Sequence, residues 1–389
     1  MEDFVFQNTT KIIFGKETEK KAGTEIKEFG GSKVLLHYGG GSIKKTGLYE
    51  KVILSLKEND LDFVELGGVS PNPFVSLVRK GIKLCKENKV DFILAVGGGS
   101  VIDSAKAISI GCDYEGDVWD FFEGKAEPET AISIGVVLTI PAAGSESSVV
   151  TVITNEEGLI KRGYHSDAFL PKFAILNPEL TITLPLFQIA CGAADILAHT
   201  FERYFTPTKS RDLTDRLCEG LMLSVIKNAE FVLTKGKPDY DSMAELMWAS
   251  TIAHNGILGT GRKEDWASHK FGHELSALFG ITHGASLSIM FPAWMKYVYK
   301  KNLDLFAQFA ERVFDVNPDG LTKQKTALKG IECLEKFYTK IGLPTRLSEI
   351  EVDLNKIDEM AGKIVSRGPV GNLVKLEKED AIKIYRLAI

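Results

Sequence analysis

A chain of 389 residues is long enough for two domains with cores of their own, and 44% hydrophobic with 25% charged content is ordinary for a soluble globular protein. A net charge of −5 without a long basic run argues against nucleic acid or an anionic membrane as partner. Five cysteines (Cys85, Cys112, Cys191, Cys218, Cys333) are scattered, odd in number and free of CxxC pairs, which argues for a reducing compartment and against a disulfide framework or a thiolate metal site.

The opening MEDFVFQNTT is acidic and has no signal-type apolar stretch. The longest apolar run, around Ala131 to Ala143, is too short to span a bilayer and contains Gly135 and Pro141. A cytoplasmic location is therefore expected. Phe4 to Phe14 reads as one or two short strands ending at Gly15, with the alternation of FVFQ marking a sheet edge. Such an edge makes a homodimer the expected assembly. Lys16 to Phe29 is a charged amphipathic helix stopped by Gly30-Gly31.

Strands and helices then alternate. Lys33 to Tyr38 (KVLLHY) is a strand that runs into Gly39-Gly40-Gly41-Ser42 and a helix. Asp62 to Leu66 is a strand, Pro73 to Asn88 a helix, and Val90 to Val96 (VDFILAV) an apolar strand. Gly97-Gly98-Gly99-Ser100 follows, with a helix from Val101 to about Ile110. Apolar strands alternating with helices predict a mostly parallel, Rossmann-like sheet covered on both faces. Ile132 to Ile140 is a further central strand leading into PAAGSES. Val149 to Thr154 and Leu159 to Gly163 flank a hairpin turn, and Phe173 to Leu176 is the last strand. After Asn177-Pro178 the character changes: from about Leu184 to the end almost every segment has helical periodicity, broken at Pro207, 235–238, 259–261, 317–320 and 342–344. The fold class is thus an α/β domain over 1–184 followed by an all-α domain over 185–389.

Each glycine-rich loop follows a strand and opens a helix. Glycine lets the backbone approach a phosphate, and the helix start offers unpaired N–H groups. A simple tight turn would look the same at either loop alone; two of them at the C-terminal side of one sheet favour phosphate binding. Neither is GxGxxG.

Two further stretches carry metal chemistry: CGAADILAHTFERY (Cys191 to Tyr204) and SHKFGHELSALFGITHG (Ser268 to Gly284). Asp195 and His199 are four apart, so a helix sets both on one face; a helix-surface hydrogen bond is the plainer reading of that pair alone. His269, His273 and His283 add three of the seven histidines within a short span. Asp195, His199, His269 and His283 together supply one carboxylate oxygen and three imidazole nitrogens, a set suited to Fe(II) or Zn(II).

GAADILAHTFERY and HKFGHELSALFGITHG resemble the two signatures of the iron-dependent (group III) alcohol dehydrogenases, in particular their butanol dehydrogenase-like branch, and the resemblance runs over nearly the whole chain. It implies a dehydroquinate synthase-like architecture with Asp195, His199, His269 and His283 as metal ligands. His273 would line the active site and relay the alkoxide proton, with a fifth ligand or a mere orienting group as the alternatives. GGGSVID would bind the pyrophosphate through Gly98, Gly99, Ser100 and Asp103. TIPAAGSES would form a third cofactor loop carrying Thr139, Ser145 and Ser148. Lys161 would sit near the nicotinamide ribose, although a solvated hairpin lysine fits the sequence as well, and Leu180 would cap the cofactor.

The implied activity is a metal-dependent interconversion of small primary alcohols and aldehydes with NAD(P)(H), and Fe(II) is favoured because four protein ligands would close a tetrahedral zinc site. Several NAD-linked members of the family carry Asp at the position of Gly39. Here Gly39, Gly40 and Ser42 offer N–H groups and a hydroxyl, with Lys44 and Lys45 beside them, so NADP(H) is expected over NAD(H); solvated lysines and use of either cofactor are the plainer alternative. Phe201, Trp266 and Phe279 are apolar pocket candidates for an uncharged substrate. A dehydroquinate synthase-like lyase or a glycerol dehydrogenase-like polyol dehydrogenase shares much of this logic. The lyase should surround its metal with cations, and these segments hold little beyond Arg203 and Lys270. A non-enzymatic binding module would have no use for an intact DxxxH…HxxxH…H set.

Overall fold

A computed structural model describes residues 1–389. The chain forms two compact units, Gln7–Thr183 and the pair Met1–Phe6 with Leu184–Ile389.

In the first unit, strands β1 (Lys11–Phe14), β2 (Lys33–Gly39), β3 (Asp62–Val69), β4 (Phe92–Gly97), β5 (Ser133–Leu138) and β8 (Phe173–Leu176) build a six-stranded sheet in the order β1-β8-β5-β4-β2-β3. Every neighbouring pair is parallel. β4 and β8 are buried along their whole length, as strands covered on both faces must be. Helices α1 (Ala22–Glu28) and α3 (Leu48–Glu58) put Ala22, Ile26, Val52 and Leu56 into one core with Leu36, Leu94, Val137 and Ile175 of the sheet. A four-residue helix α2 (Ser42–Lys45) precedes α3. Helices α4 (Val75–Asn88) and α5 (Gly99–Gly111) meet closely, with Gly81 leaving no room for a Cβ beside Ile108. A short α6 (Trp119–Glu123) and the antiparallel hairpin β6 (Val150–Asn155) and β7 (Ile160–His165) complete the unit.

His37, inside β2, is fully buried; its Nδ1 pairs with the Leu66 carbonyl at 2.8 Å and its Nε2 with Ser104 Oγ at 2.9 Å. Burial lowers its pKa to about 4, so it is a neutral cross-brace between β3 and α5.

Two readings of the N-terminal stretch change. Residues 4–10 form no strand; only Lys11–Phe14 pairs, at the sheet edge, with β8. Phe4, Val5 and Phe6 are exposed and belong with the helical unit, where the Glu2 N–H donates to the Gly261 carbonyl at 2.9 Å.

The second unit is helical: α7 (Leu186–Tyr204), α8 (Asp212–Lys235), α9 (Tyr240–His254), α10 (Ala267–Phe279), α11 (His283–Val298), α12 (Leu303–Phe314), α13 (Lys323–Lys340), α14 (Ile357–Ile364) and α15 (Lys378–Leu387). Its sole β element is an isolated Val370–Leu376 bridge. α7 is buried on all sides from Ile189 to Tyr204, the pattern of a central helix. Two glycines set the crossings that matter for the site. A Cβ on Gly284 would lie 2.0 Å from the Cys191 carbonyl oxygen, and one on Gly272 would lie 2.8 Å from Ser286 Oγ. The start of α11 is thereby pressed against the backbone of α7, and the middle of α10 against α11. No helix is long and apolar enough to cross a membrane.

Candidate active site

These crossings bring Asp195 and His199 of α7 together with His269 of α10. One ligand atom from each lies within 4.8 Å of the others, and all three residues are buried. His283, first residue of α11, places its Nε2 3.8 Å from Asp195 Oδ1. The His273 ring centroid is 5.4 Å from that of His283 and 6.4 Å from that of His269.

The protonation pattern fits a cation. His199 Nδ1 donates to the Asp195 carbonyl at 2.8 Å, and His269 Nδ1 donates to Glu202 Oε1 at 2.7 Å. With Nδ1 committed in both rings, Nε2 carries the lone pair that a metal takes. Asp195 Oδ1 is buried and receives no hydrogen bond. A desolvated carboxylate oxygen without a donor is costly unless a cation satisfies it. One oxygen and imidazole nitrogens also form a donor set for a borderline divalent ion.

Glu202 does more than orient His269. Its Oε2 accepts the Trp266 N–H at 2.5 Å and its Oε1 the His269 N–H at 3.0 Å, so this side chain of α7 caps the start of α10. Burial pushes the Glu202 carboxyl up to about 8, against the pull of those two N–H groups. The far end of α7 is equally secured. The Phe201 carbonyl accepts the Phe205 N–H, that of Glu202 the Asp265 N–H, and that of Tyr204 the Thr206 N–H. Arg262 Nη1 donates to the Arg203 carbonyl at 2.9 Å and Arg203 Nη1 to that of His199 at 2.6 Å. Two buried arginines thus close the negative end of the helix that carries Asp195 and His199.

His254 joins the cluster, its ring edge-on to His199 at 4.3 Å and its Nδ1 3.4 Å from Arg203 Nη2. Trp266 lies beside the rings of His199 and His269, 5.9 and 5.0 Å away, with the Arg203 guanidinium over its face at 4.9 Å. Of the expected pocket aromatics, Phe201 is instead core: it is 1% exposed and packs on Phe205, Phe291 and Phe309. Phe279 is partly buried against the same core.

In the α/β unit the strand register aligns three loops. Tyr38 pairs with Val96, and Gly97 with Leu138, so Gly39–Ser42, Gly97–Ser100 and Thr139–Ser148 leave the sheet side by side. Gly41 has φ +108°, and a Cβ on Gly97 would lie 2.4 Å from Val101, so these two positions require glycine. α5 starts without a side-chain cap, leaving the N–H groups around Gly98, Gly99 and Ser100 for an anion. Thr139 is half-buried, its N–H donating to the Gly97 carbonyl. Gly40 and Ser42 lie at the open side of the first loop.

Other expected cofactor residues turn inward. Asp103 accepts from Ser145 Oγ at 2.6 Å and from the Val152 N–H at 3.1 Å. Ser145 and Ser148 are buried and accept hydrogen bonds from Lys106 Nζ at 2.9 and 3.2 Å. Lys161 donates to Asn72 Oδ1 at 2.8 Å. Leu180 sits in the turn Pro178–Thr181, half-buried against the sheet core.

Residues 9–178 match the family model described as iron-containing alcohol dehydrogenase, and residues 189–389 match the Fe-containing alcohol dehydrogenase family, C-terminal. The chain belongs to the iron-containing alcohol dehydrogenase family. It is 41% identical over 389 residues to a probable NADH-dependent butanol dehydrogenase 1 of Bacillus subtilis, with 100% of both chains covered. It is 38% identical to the NADPH-dependent aldehyde reductase YqhD of Escherichia coli, over 95% of this chain and 94% of that one. The crystal structure of NADH-dependent butanol dehydrogenase A from Thermotoga maritima superposes with a TM-score of 0.96 at 43% identity, covering 100% of this chain and 99% of the other.

As an iron-containing alcohol dehydrogenase, the protein is a metal-dependent oxidoreductase of alcohols and aldehydes linked to a nicotinamide nucleotide, as the signature stretches had led one to expect. Its fold agrees with the expected architecture of a parallel α/β sheet unit and a helical unit. Sequence reading did not single out Glu202, His254 or Lys106 as site residues. Only Glu202 carried a signal, standing three residues beyond His199 inside the signature stretch and so near that end of the same helix.

Proposed function

We propose that this enzyme reduces small aldehydes to primary alcohols, and runs the reverse reaction, with NADP(H) preferred over NAD(H) and Fe(II) held by Asp195, His199, His269 and His283. The observation that carries the reading is the close approach of buried ligand atoms from Asp195, His199 and His269. Bound metal supplies Lewis acidity and bound nicotinamide the hydride donor or acceptor. The chain's own groups do the rest. The Nδ1–H bonds of His199 and His269 fix their Nε2 atoms, and Glu202 holds α10 in register while it does so. His273, half-buried beside His283, passes the hydroxyl proton between substrate and solvent as a neutral imidazole. The N–H groups at Gly98–Ser100 take the pyrophosphate. The lyase alternative lacks support: Arg203, a cation it would need at the metal, is spent on the His199 carbonyl and the Trp266 ring.

The cofactor preference rests on Gly39. Gly39 pairs with Val69 at the end of β3, and neither strand end carries a carboxylate for a ribose diol; Glu65, farther back in β3, accepts the hydroxyls of Tyr38 at 2.9 Å and Tyr49 at 2.7 Å. Lys44 is held over the Tyr49 ring at 4.6 Å, and Lys45 is exposed, which keeps two cations beside the loop. A Cβ at Gly39 would meet the Val69 carbonyl at 3.5 Å, an ordinary contact, so the position accepts a side chain. Side-by-side kinetics with both cofactors, on wild type and Gly39→Asp, test the proposal. The expected result is a lower KM for NADPH in wild type and a raised one in the variant. A wild type that prefers NADH refutes the argument from Gly39.

A further inference from the structure

We infer that Lys106, with Asp103 one turn before it, is a positioning residue for dinucleotide binding: it holds the Thr139–Ser148 loop in shape without touching the dinucleotide. The inference rests on the reading of that loop as a cofactor loop.

Lys106 lies on α5 and is 0% exposed. Its Nζ donates to the carbonyls of Ser145 at 2.7 Å, Ser148 at 2.8 Å and Val150 at 2.8 Å, and to the hydroxyls of Ser145 at 2.9 Å and Ser148 at 3.2 Å. All five oxygens come from Ser145–Val150. Asp103 grips the same segment: its carboxylate accepts from Ser145 Oγ and the Val152 N–H, and its carbonyl accepts from Thr151 Oγ1 at 2.8 Å.

Outside these two residues the segment is held also by Asn8, whose Nδ2 donates to the Ser147 carbonyl at 2.9 Å and whose Oδ1 accepts from Ser147 Oγ at 3.1 Å. Gly144 is left-handed with φ +64°, and the turn that follows is closed by long backbone bonds, Ser147 N–H to Gly144 at 3.3 Å and Ser148 N–H to Ser145 at 3.4 Å. A buried ammonium is expensive to desolvate, and an apolar side chain would fill the space at less cost. Burial lowers its pKa to about 8, while Asp103 and Glu146 oppose the shift. What the ammonium adds is direction: three N–H bonds that only one arrangement of those carbonyls can satisfy. The helix carrying this lysine begins at Gly99, in the pyrophosphate loop. Lys106 therefore ties the geometry of one phosphate-facing loop to that of the next.

The test uses full-length, metal-loaded protein. The dissociation constants of NADPH and NADH are measured by fluorescence titration on wild type and Lys106→Met, with metal content, KM and kcat alongside. The expected result is a rise of at least about ten-fold in Kd and in cofactor KM, with metal content unchanged and kcat within about three-fold. General damage to the fold would instead lower kcat and leave cofactor KM alone. Lys106→Gln, which keeps two N–H donors, serves if Lys106→Met does not fold, and should weaken binding by a smaller factor. Wild-type Kd in a folded, metal-loaded variant overturns the inference alone. A wild type that binds neither dinucleotide overturns the cofactor reading and the inference with it.

Discussion

Replacing Glu202 by glutamine would test whether the metal affinity is set by a residue that is not itself a ligand. Three donors converge on this buried carboxylate: the His269 N–H and Nδ1–H on Oε1, and the Trp266 N–H on Oε2. Glutamine has one acceptor oxygen, so either orientation of the amide sets its NH2 against at least one buried donor. A buried donor left without a partner costs about 1–3 kcal/mol. Because the same carboxylate fixes His269, metal affinity should fall roughly 10- to 100-fold, the range typical of such outer groups. That is about 1.4–2.8 kcal/mol of binding free energy. Anaerobic competition between protein and a metal-binding dye, with Fe²⁺ and separately Zn²⁺, reads the loss directly. A Glu202→Gln protein that matches wild type within two-fold for both ions would refute the reasoning.

Asp195→Ala should lose bound metal and turnover together, and its thermal unfolding should no longer respond to a chelator; full occupancy with normal turnover would show the ligand assignment to be wrong. His273→Ala should keep its metal and lose about 10²- to 10⁴-fold in turnover; metal loss instead would make His273 a ligand. Glu274 gives a pH prediction. It is 8% exposed, its Oε2 receives no hydrogen bond, and burial raises its pKa from 4.5 to about 7. The fold prefers the neutral acid, so stability falls as pH climbs from about 4.5 through 7 and is level above that, a cost of roughly 3 kcal/mol. Glu274→Gln should therefore melt above wild type at pH 8 and alongside it at pH 4.5, and an equal difference at both pH values would contradict the assignment.

Much of this was legible in the residues because it is local. Apolar runs such as VDFILAV followed by Gly97-Gly98-Gly99-Ser100 mark a parallel strand and a helix start within a dozen residues. The four-residue spacing of Asp195 and His199 is likewise a statement about one helix. The missed residues work over distance. Arg203 and His254 are 51 apart in sequence, and Lys106 reaches Ser148 across 42. Each looks like an ordinary helix residue until its neighbours in space are known. Two misreadings had the opposite origin. The alternation of FVFQ imitates a strand, yet Phe4–Phe6 are exposed and find no pairing partner strand. Phe201 stands in the stretch that carries Asp195 and His199, but two residues beyond His199 it faces away from that residue and into the aromatic core.

The central claim is that aldehyde reduction depends on a divalent ion at Asp195, His199, His269 and His283. The most direct measurement is an anaerobic titration of metal-stripped protein with Fe²⁺, following butanal-dependent NADPH oxidation and bound iron in the same samples. The account predicts no turnover at zero occupancy and a linear rise that saturates at one ion per chain. Turnover in the stripped protein that is unchanged by added metal would contradict it.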